Sequence, residues 1–80
     1  MTKSVFSKKY KILREMLAEE RLKANLSQRE LSDRMGVVQT FVSKYELGER
    51  RIDVVELAQI LEAMGINPIK FFEKWYKSSK

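Results

Sequence analysis

Residues 26–48 read Leu26-Ser27-Gln28-Arg29-Glu30-Leu31-Ser32-Asp33-Arg34-Met35-Gly36-Val37-Val38-Gln39-Thr40-Phe41-Val42-Ser43-Lys44-Tyr45-Glu46-Leu47-Gly48, and this stretch decides the fold. Ser27 and Glu30 stand at the spacing of a capping box, in which each side chain satisfies the other residue's backbone N–H at a helix start. Leu26 and Leu31 flank them as a hydrophobic staple, which fixes the angle at which the chain enters the helix. Gly36 ends that helix, because a position with φ > 0 suits a residue without a Cβ. A second helix restarts near Gln39 and closes at Gly48. Two short helices and a tight turn result.

With an advance of ~100° per residue, Val38, Val42 and Tyr45 share one side of the second helix and are expected to face inward. Thr40, Ser43, Lys44 and Leu47 fall on the opposite side, and Gln39 stands at the exposed N-terminal end. A short helix held by its apolar back, with amide, hydroxyl and ammonium groups outward, suits the floor of a DNA major groove. The same face also suits an ordinary solvated helix. Its polarity alone does not decide between the two.

The run L-S-Q-x-E-L-x-x-x-x-G-V-x-Q-T-x-V-S-K-Y-E-x-G-E-R-R resembles the helix-turn-helix of the lambda-repressor and Cro family, also called the XRE family, and the likeness extends from about Tyr10 to about Phe72. The resemblance implies an all-α, five-helix lambda-repressor-like bundle whose helices 2 and 3 form the motif. By position it gives Gln39, Thr40 and Lys44 the base-reading roles. Gln28, which opens the first helix of the motif, matches a phosphate-holding residue and Ser43 a frequent backbone contact; Arg29 is a further candidate for the DNA backbone. Arg21 and Glu46 match an ion pair that ties the first helix to the recognition helix. Two residues depart from the family pattern. Val38 stands where a Ser or Thr cap, or a Pro, is usual, and Phe41 is large for the edge of the outward face.

Composition narrows the function classes. Eighty residues, 44% of them hydrophobic, make one small domain near the low end for independent stability. The expected organisation is a single helix-turn-helix domain over 1–80, with the motif at about 27–47, the last helix at about 68–77, and no room for a separate ligand-sensing domain. Cysteine and histidine are both absent, so no disulfide, zinc finger, thiol nucleophile or imidazole base can be built. Without a Gly-rich phosphate loop or a metal-ligand spacing, neither an enzyme nor a cofactor is expected. No long apolar run or signal-peptide pattern occurs, which makes a soluble cytoplasmic protein the expectation. The net charge of +5 is unevenly spread. Residues 1–14 carry five positive charges and no negative ones, whereas 53–69 carry three negative charges and no positive ones. One end of the fold should attract phosphate.

Outward from the motif, a helix is expected from Ser7 to Ala24, with Tyr10, Leu13, Leu17 and Ala24 on its apolar stripe and Asn25 in the left-handed position that stops it. Lys3, Lys8, Lys9 and Lys11 read equally as a basic arm on DNA or as a solubilised terminus. Beyond Gly48, Arg50 and Arg51 occupy a short loop beside the recognition helix, where guanidinium groups suit phosphate. A charged loop balanced locally by Glu49 is the other reading. Asp53 and Glu56 repeat the capping box, and the helix they start carries Val54, Val55, Leu57, Ala58, Ile60, Leu61, Ala63 and Met64, the expected centre of the core. Asn67 and Pro68 cap and open the last helix. Phe72, Trp75 and Tyr76 on that helix are assigned either to a two-fold dimer contact or to completion of the monomer core.

These readings converge on a sequence-specific regulator of transcription that binds double-stranded DNA. A homodimeric repressor on a near-palindromic operator is the leading form. An antitoxin or a restriction–modification controller of the same fold would carry the same motif, and a toxin or other protein partner stays open. A protein-interaction module that kept the fold without DNA contacts is the alternative from another class.

Overall fold

Side chains start four of the five helices. The computed structural model describes residues 7–80, which form α1 (Lys8–Lys23), α2 (Gln28–Met35), α3 (Gln39–Leu47), α4 (Val54–Ala63) and α5 (Pro68–Ser78), with no strand among the described residues. Ser7 Oγ accepts from the Tyr10 N–H at 3.1 Å and starts α1. Both capping boxes close: Ser27 with Glu30 at α2, and Asp53 with Glu56 at α4. Asn67 Oδ1 accepts from Ile69 and Lys70, and Pro68 supplies the first residue of α5. The exception is α3, whose cap residue Val38 offers no side-chain hydrogen bond.

The turns use the left-handed backbone expected of them. Asn25 has φ 58°, after the end of α1. At Gly36 φ is 72°, which brings α3 back across α2 without strain.

Each helix contributes to a shared core of Leu17, Leu26, Leu31, Val42, Tyr45, Ile60, Leu61, Met64 and Phe71. Helix α2 packs on α3 and α4, α1 packs on α3, and α5 lies across α1 and α4. Helix α3 is therefore gripped along its back by α1 and α2.

Three sequence expectations need correction. Val38 does not face inward: it is 71% exposed, because an extended cap residue leaves the helical register of the positions after it. Ala24 is likewise exposed at the end of α1. On α4 the core positions are Ile60 and Leu61, while Val54 and Val55 in its first turn point to solvent. None of the helices among the described residues is long and apolar enough to cross a membrane.

Candidate nucleic-acid interface

On α3 the buried side consists of Val42 and Tyr45, both fully enclosed. Gln39, Thr40 and Lys44 are all exposed, and none of their side chains has an internal hydrogen-bond or ion-pair partner among the described residues. Ser43, half-buried, donates from Oγ to the Thr40 carbonyl at 3.3 Å. Three polar side chains with open donors and acceptors thus stand on one rigid element.

The C-terminal half of α3 is locked instead. Arg21 Nε donates to Glu46 Oε2 at 2.7 Å and Nη2 to Oε1 at 3.0 Å, a two-pronged pair with side-chain exposures of only 11% and 10%. The third donor, Nη1, reaches the Leu26 carbonyl at 2.8 Å. Gln28 joins them, its Nε2 donating to Glu46 Oε1 at 2.8 Å. The Glu46 hydrogen bond, acting against desolvation, holds the Arg21 guanidinium above its ordinary range. From α1, Arg14 Nη1 donates to the Glu46 backbone carbonyl at 3.2 Å, which places a cation at the negative end of the α3 dipole. Gly48, with φ 83°, makes that approach possible, since a Cβ there would lie 2.9 Å from Arg14 Cζ. Burial pushes the Tyr45 phenol up and keeps it neutral.

Beyond Gly48 the two arginines differ. Arg50 donates from Nη1 and Nη2 to both carboxylate oxygens of Glu56, at 3.1 and 2.8 Å, and its Cζ lies 4.6 Å from the Phe41 ring centroid. Phe41, whose partner was not evident from its position in the motif, packs edge-on against Tyr45 and under this guanidinium. Arg50 holds Glu56 below the ordinary carboxylate range, helped by the Asp53 N–H. Arg51 is exposed, with Cζ 5.1 Å from the Tyr10 ring centroid. Arg29, Lys8, Lys9 and Lys11 are exposed; Lys3 lies outside the described residues.

The structure thus brings Arg21, Gln28 and Glu46 together and keeps Gln39, Thr40 and Lys44 on one open face. Phe72 and Tyr76 are exposed on α5, whereas Trp75 is half-buried and donates from Nε1 to the Lys9 carbonyl at 2.9 Å. Sequence reasoning passed over Arg14 and Glu56. Arg14 was within reach, since it precedes Arg21 by two helical turns on the same side of α1. Glu56 was read only as half of a capping box.

Together α2, the Gly36 turn and α3 define a helix-turn-helix module. A family model described as helix-turn-helix matches residues 17–71, which include both helices of that module. The chain belongs to the XRE-type helix-turn-helix family, a class of DNA-binding domains found in transcriptional regulators. An XRE-family like protein from Pseudomonas syringae pv. tomato is 36% identical and superposes with a TM-score of 0.85, over 90% of this chain and 88% of that one. A variant of the restriction–modification controller protein C.Esp1396I shares the fold at 22% identity and a TM-score of 0.81, covering 90% and 91% of the two chains. So does the clp gene regulator ClgR from Corynebacterium glutamicum, at 20% identity, a TM-score of 0.77, and 91% and 78% coverage. In sequence, 49 residues are 41% identical to y4aM of Sinorhizobium fredii, an uncharacterized HTH-type transcriptional regulator. That match takes in 61% of this chain but only 34% of the relative's length.

Proposed function

We propose that this chain is a sequence-specific regulator of transcription that binds double-stranded DNA as a homodimer and represses from a near-palindromic operator. The observation that carries the reading is the contrast on α3: Gln39, Thr40 and Lys44 keep open hydrogen-bonding groups on a helix whose back is fully buried. Lys44 donates to guanine O6 or N7, Gln39 pairs with adenine, and Thr40 meets a thymine methyl. Arg29, Ser43, Arg51 and the lysines that open α1 grip the backbone. Gln28 reaches the same strand with its second amide hydrogen, while the first stays on Glu46.

For the dimer, the supporting feature is an apolar surface shared by α4 and α5. Val54, Leu57, Pro68, Ile69 and Phe72 line a groove of about 150 Å³. Phe72 and Tyr76 continue that surface as stacked rings, with the half-buried Trp75 tilted against both. A two-fold contact there would set half-sites about one helical turn, ~34 Å, apart.

The test is selection of bound duplexes from a random pool. An inverted repeat is expected, with affinity that falls steeply as salt rises. On the selected site Lys44→Ala should cost ~1–3 kcal/mol and relax one base position, with little change on random duplex. Equal losses on both would remove Lys44 from the reading face.

A further inference from the structure

Arg50 sits on the loop beside the recognition helix, where a cation invites assignment to phosphate, yet its surroundings differ from those of Arg29 or Lys44. Both of its terminal nitrogens donate to the Glu56 carboxylate, and Nη1 donates as well to the Arg51 carbonyl at 3.0 Å. Its guanidinium carbon lies over Phe41, in the first turn of α3. Glu56 is fixed in its turn: Oε1 accepts from the Asp53 N–H at 3.0 Å, and Asp53 Oδ1 accepts from the Glu56 N–H at 2.7 Å. A continuous path therefore runs from the capping box of α4, through Glu56 and Arg50, to the turn that carries Gln39 and Thr40. Val38 gives that turn no cap of its own.

We propose that Arg50 is a strut that positions the first turn of α3 against the start of α4, with Phe41 and Glu56 as its two ends, and is not a phosphate ligand. The Nη1–Nη2 edge of the guanidinium, one of the edges able to grip a phosphate bidentately, already faces a carboxylate. An arriving phosphate would have to displace Glu56 or approach its negative charge. The flat, delocalised cation also explains why Phe41 is tolerated at the edge of a polar face: the ring is covered from one side by a group that stacks on it. A lysine in place of Arg50 would keep the charge and lose both contacts.

This inference rests on the DNA-reading role of α3 only for its second measurement. In the first, made on the full chain without DNA, amide hydrogen exchange is followed by NMR in the wild type and in Glu56→Gln. Glutamine keeps the capping box and loses the charged pair. The amides of Phe41, Val42 and Ser43 should exchange several-fold faster, and those of Ile60 and Leu61 at the wild-type rate. Unchanged exchange in the first turn of α3 overturns the strut, whether or not the chain binds DNA.

The second measurement uses a duplex selected from a random pool and a random duplex of the same length. Loss of a phosphate contact lowers the slope of log K against log salt by about 0.9. Arg50→Ala should keep the wild-type slope and weaken the selected duplex about tenfold, near the worth of one base contact, with the random duplex little affected. Arg50→Lys should behave like Arg50→Ala, and Glu56→Gln should weaken the selected duplex in the same sense. A slope lowered by about 0.9 in Arg50→Ala, rescue by Arg50→Lys, or tighter binding in Glu56→Gln would each make Arg50 a phosphate ligand and end the proposal. If the wild type selects no sequence, the DNA-reading function fails, and the exchange measurement still decides the strut.

Discussion

The two ends of α3 are built differently. At the C-terminal end, Glu46 receives Arg21 and Gln28 on its carboxylate and Arg14 on its carbonyl, in surroundings nearly closed to water. At the N-terminal end there is no side-chain cap, and Gln39 and Thr40 project with no internal partner among the described residues. A helix that reads bases needs a fixed pose and unpaired donors at once. Here the charged pair and its hydrogen bonds gather on Glu46, while the side chains of Gln39, Thr40 and Lys44 stay without internal partners among the described residues.

The contrast breaks most directly at Glu46. Glu46→Ala strands Arg21 with little water around it, and a loss of about 3 kcal/mol is expected in urea unfolding, the lower part of the range for broken buried pairs because both side chains keep some exposure. The paired replacement Arg21→Met with Glu46→Leu should recover much of that loss, since neither charge is then left alone. A cost for Glu46→Ala of under about 1 kcal/mol would reduce the clamp to an ordinary surface pair.

Next in size is Gly48→Ala. A non-glycine residue at φ 83° costs ~1–2 kcal/mol by itself, and here the new Cβ would also push Arg14 off the Glu46 carbonyl. Gly36→Ala makes the control: its φ is 72°, and its Cβ would have nothing within 4 Å. The Gly48 variant should be the less stable of the two by thermal or urea unfolding. Equal losses would mean that Arg14 contributes nothing to holding the helix end.

The open end can be improved. Val38 already has the extended backbone of a cap residue, with φ −72° and ψ 151°. Val38→Thr supplies the missing acceptor for an N–H of the first turn and should raise stability by ~1 kcal/mol. No gain would show that the turn is already held by other means, and the Phe41–Arg50 contact is the first place to look.

How far the sequence carried follows from which interactions are local. The starts of α2, α4 and α5 and the turns at Asn25 and Gly36 were legible because each depends on residues a few positions apart. The buried back of α3 was legible for Val42 and Tyr45, and failed at Val38, where helical phase was applied to a residue outside the helix. Side-chain partnering across the fold has no such signature. Gln28 reaches Glu46 across eighteen positions, Arg14 across thirty-two, and Trp75 reaches Lys9 across sixty-six. Arg50 and Glu56 are only six apart, but a loop lies between them, so no helical or strand period announces the pair. A motif shows which residue types a site contains. It does not show which of them are already engaged by the protein.

The smallest expected effect is on acid stability, and it comes from the capping boxes at the starts of α2 and α4. Glu30 is held below the ordinary carboxylate range by the Ser27 N–H and hydroxyl, and Glu56 by Arg50 and the Asp53 N–H. A carboxylate whose pKa is lower folded than unfolded stabilises the fold above its unfolded pKa, ~4.3 for glutamate, and loses that contribution as pH falls through the folded value. Arg21 and Arg50 shift the opposite way, upward from a range already far above neutral, so their contribution is complete throughout acid and neutral pH. Both glutamates meet solvent, which keeps the effect modest. Urea midpoints measured from about pH 7 down to about pH 3 should fall for the wild type and fall less for Glu30→Gln with Glu56→Gln, because glutamine keeps the cap and has no charge to lose. Parallel curves would place the acid sensitivity outside Glu30 and Glu56.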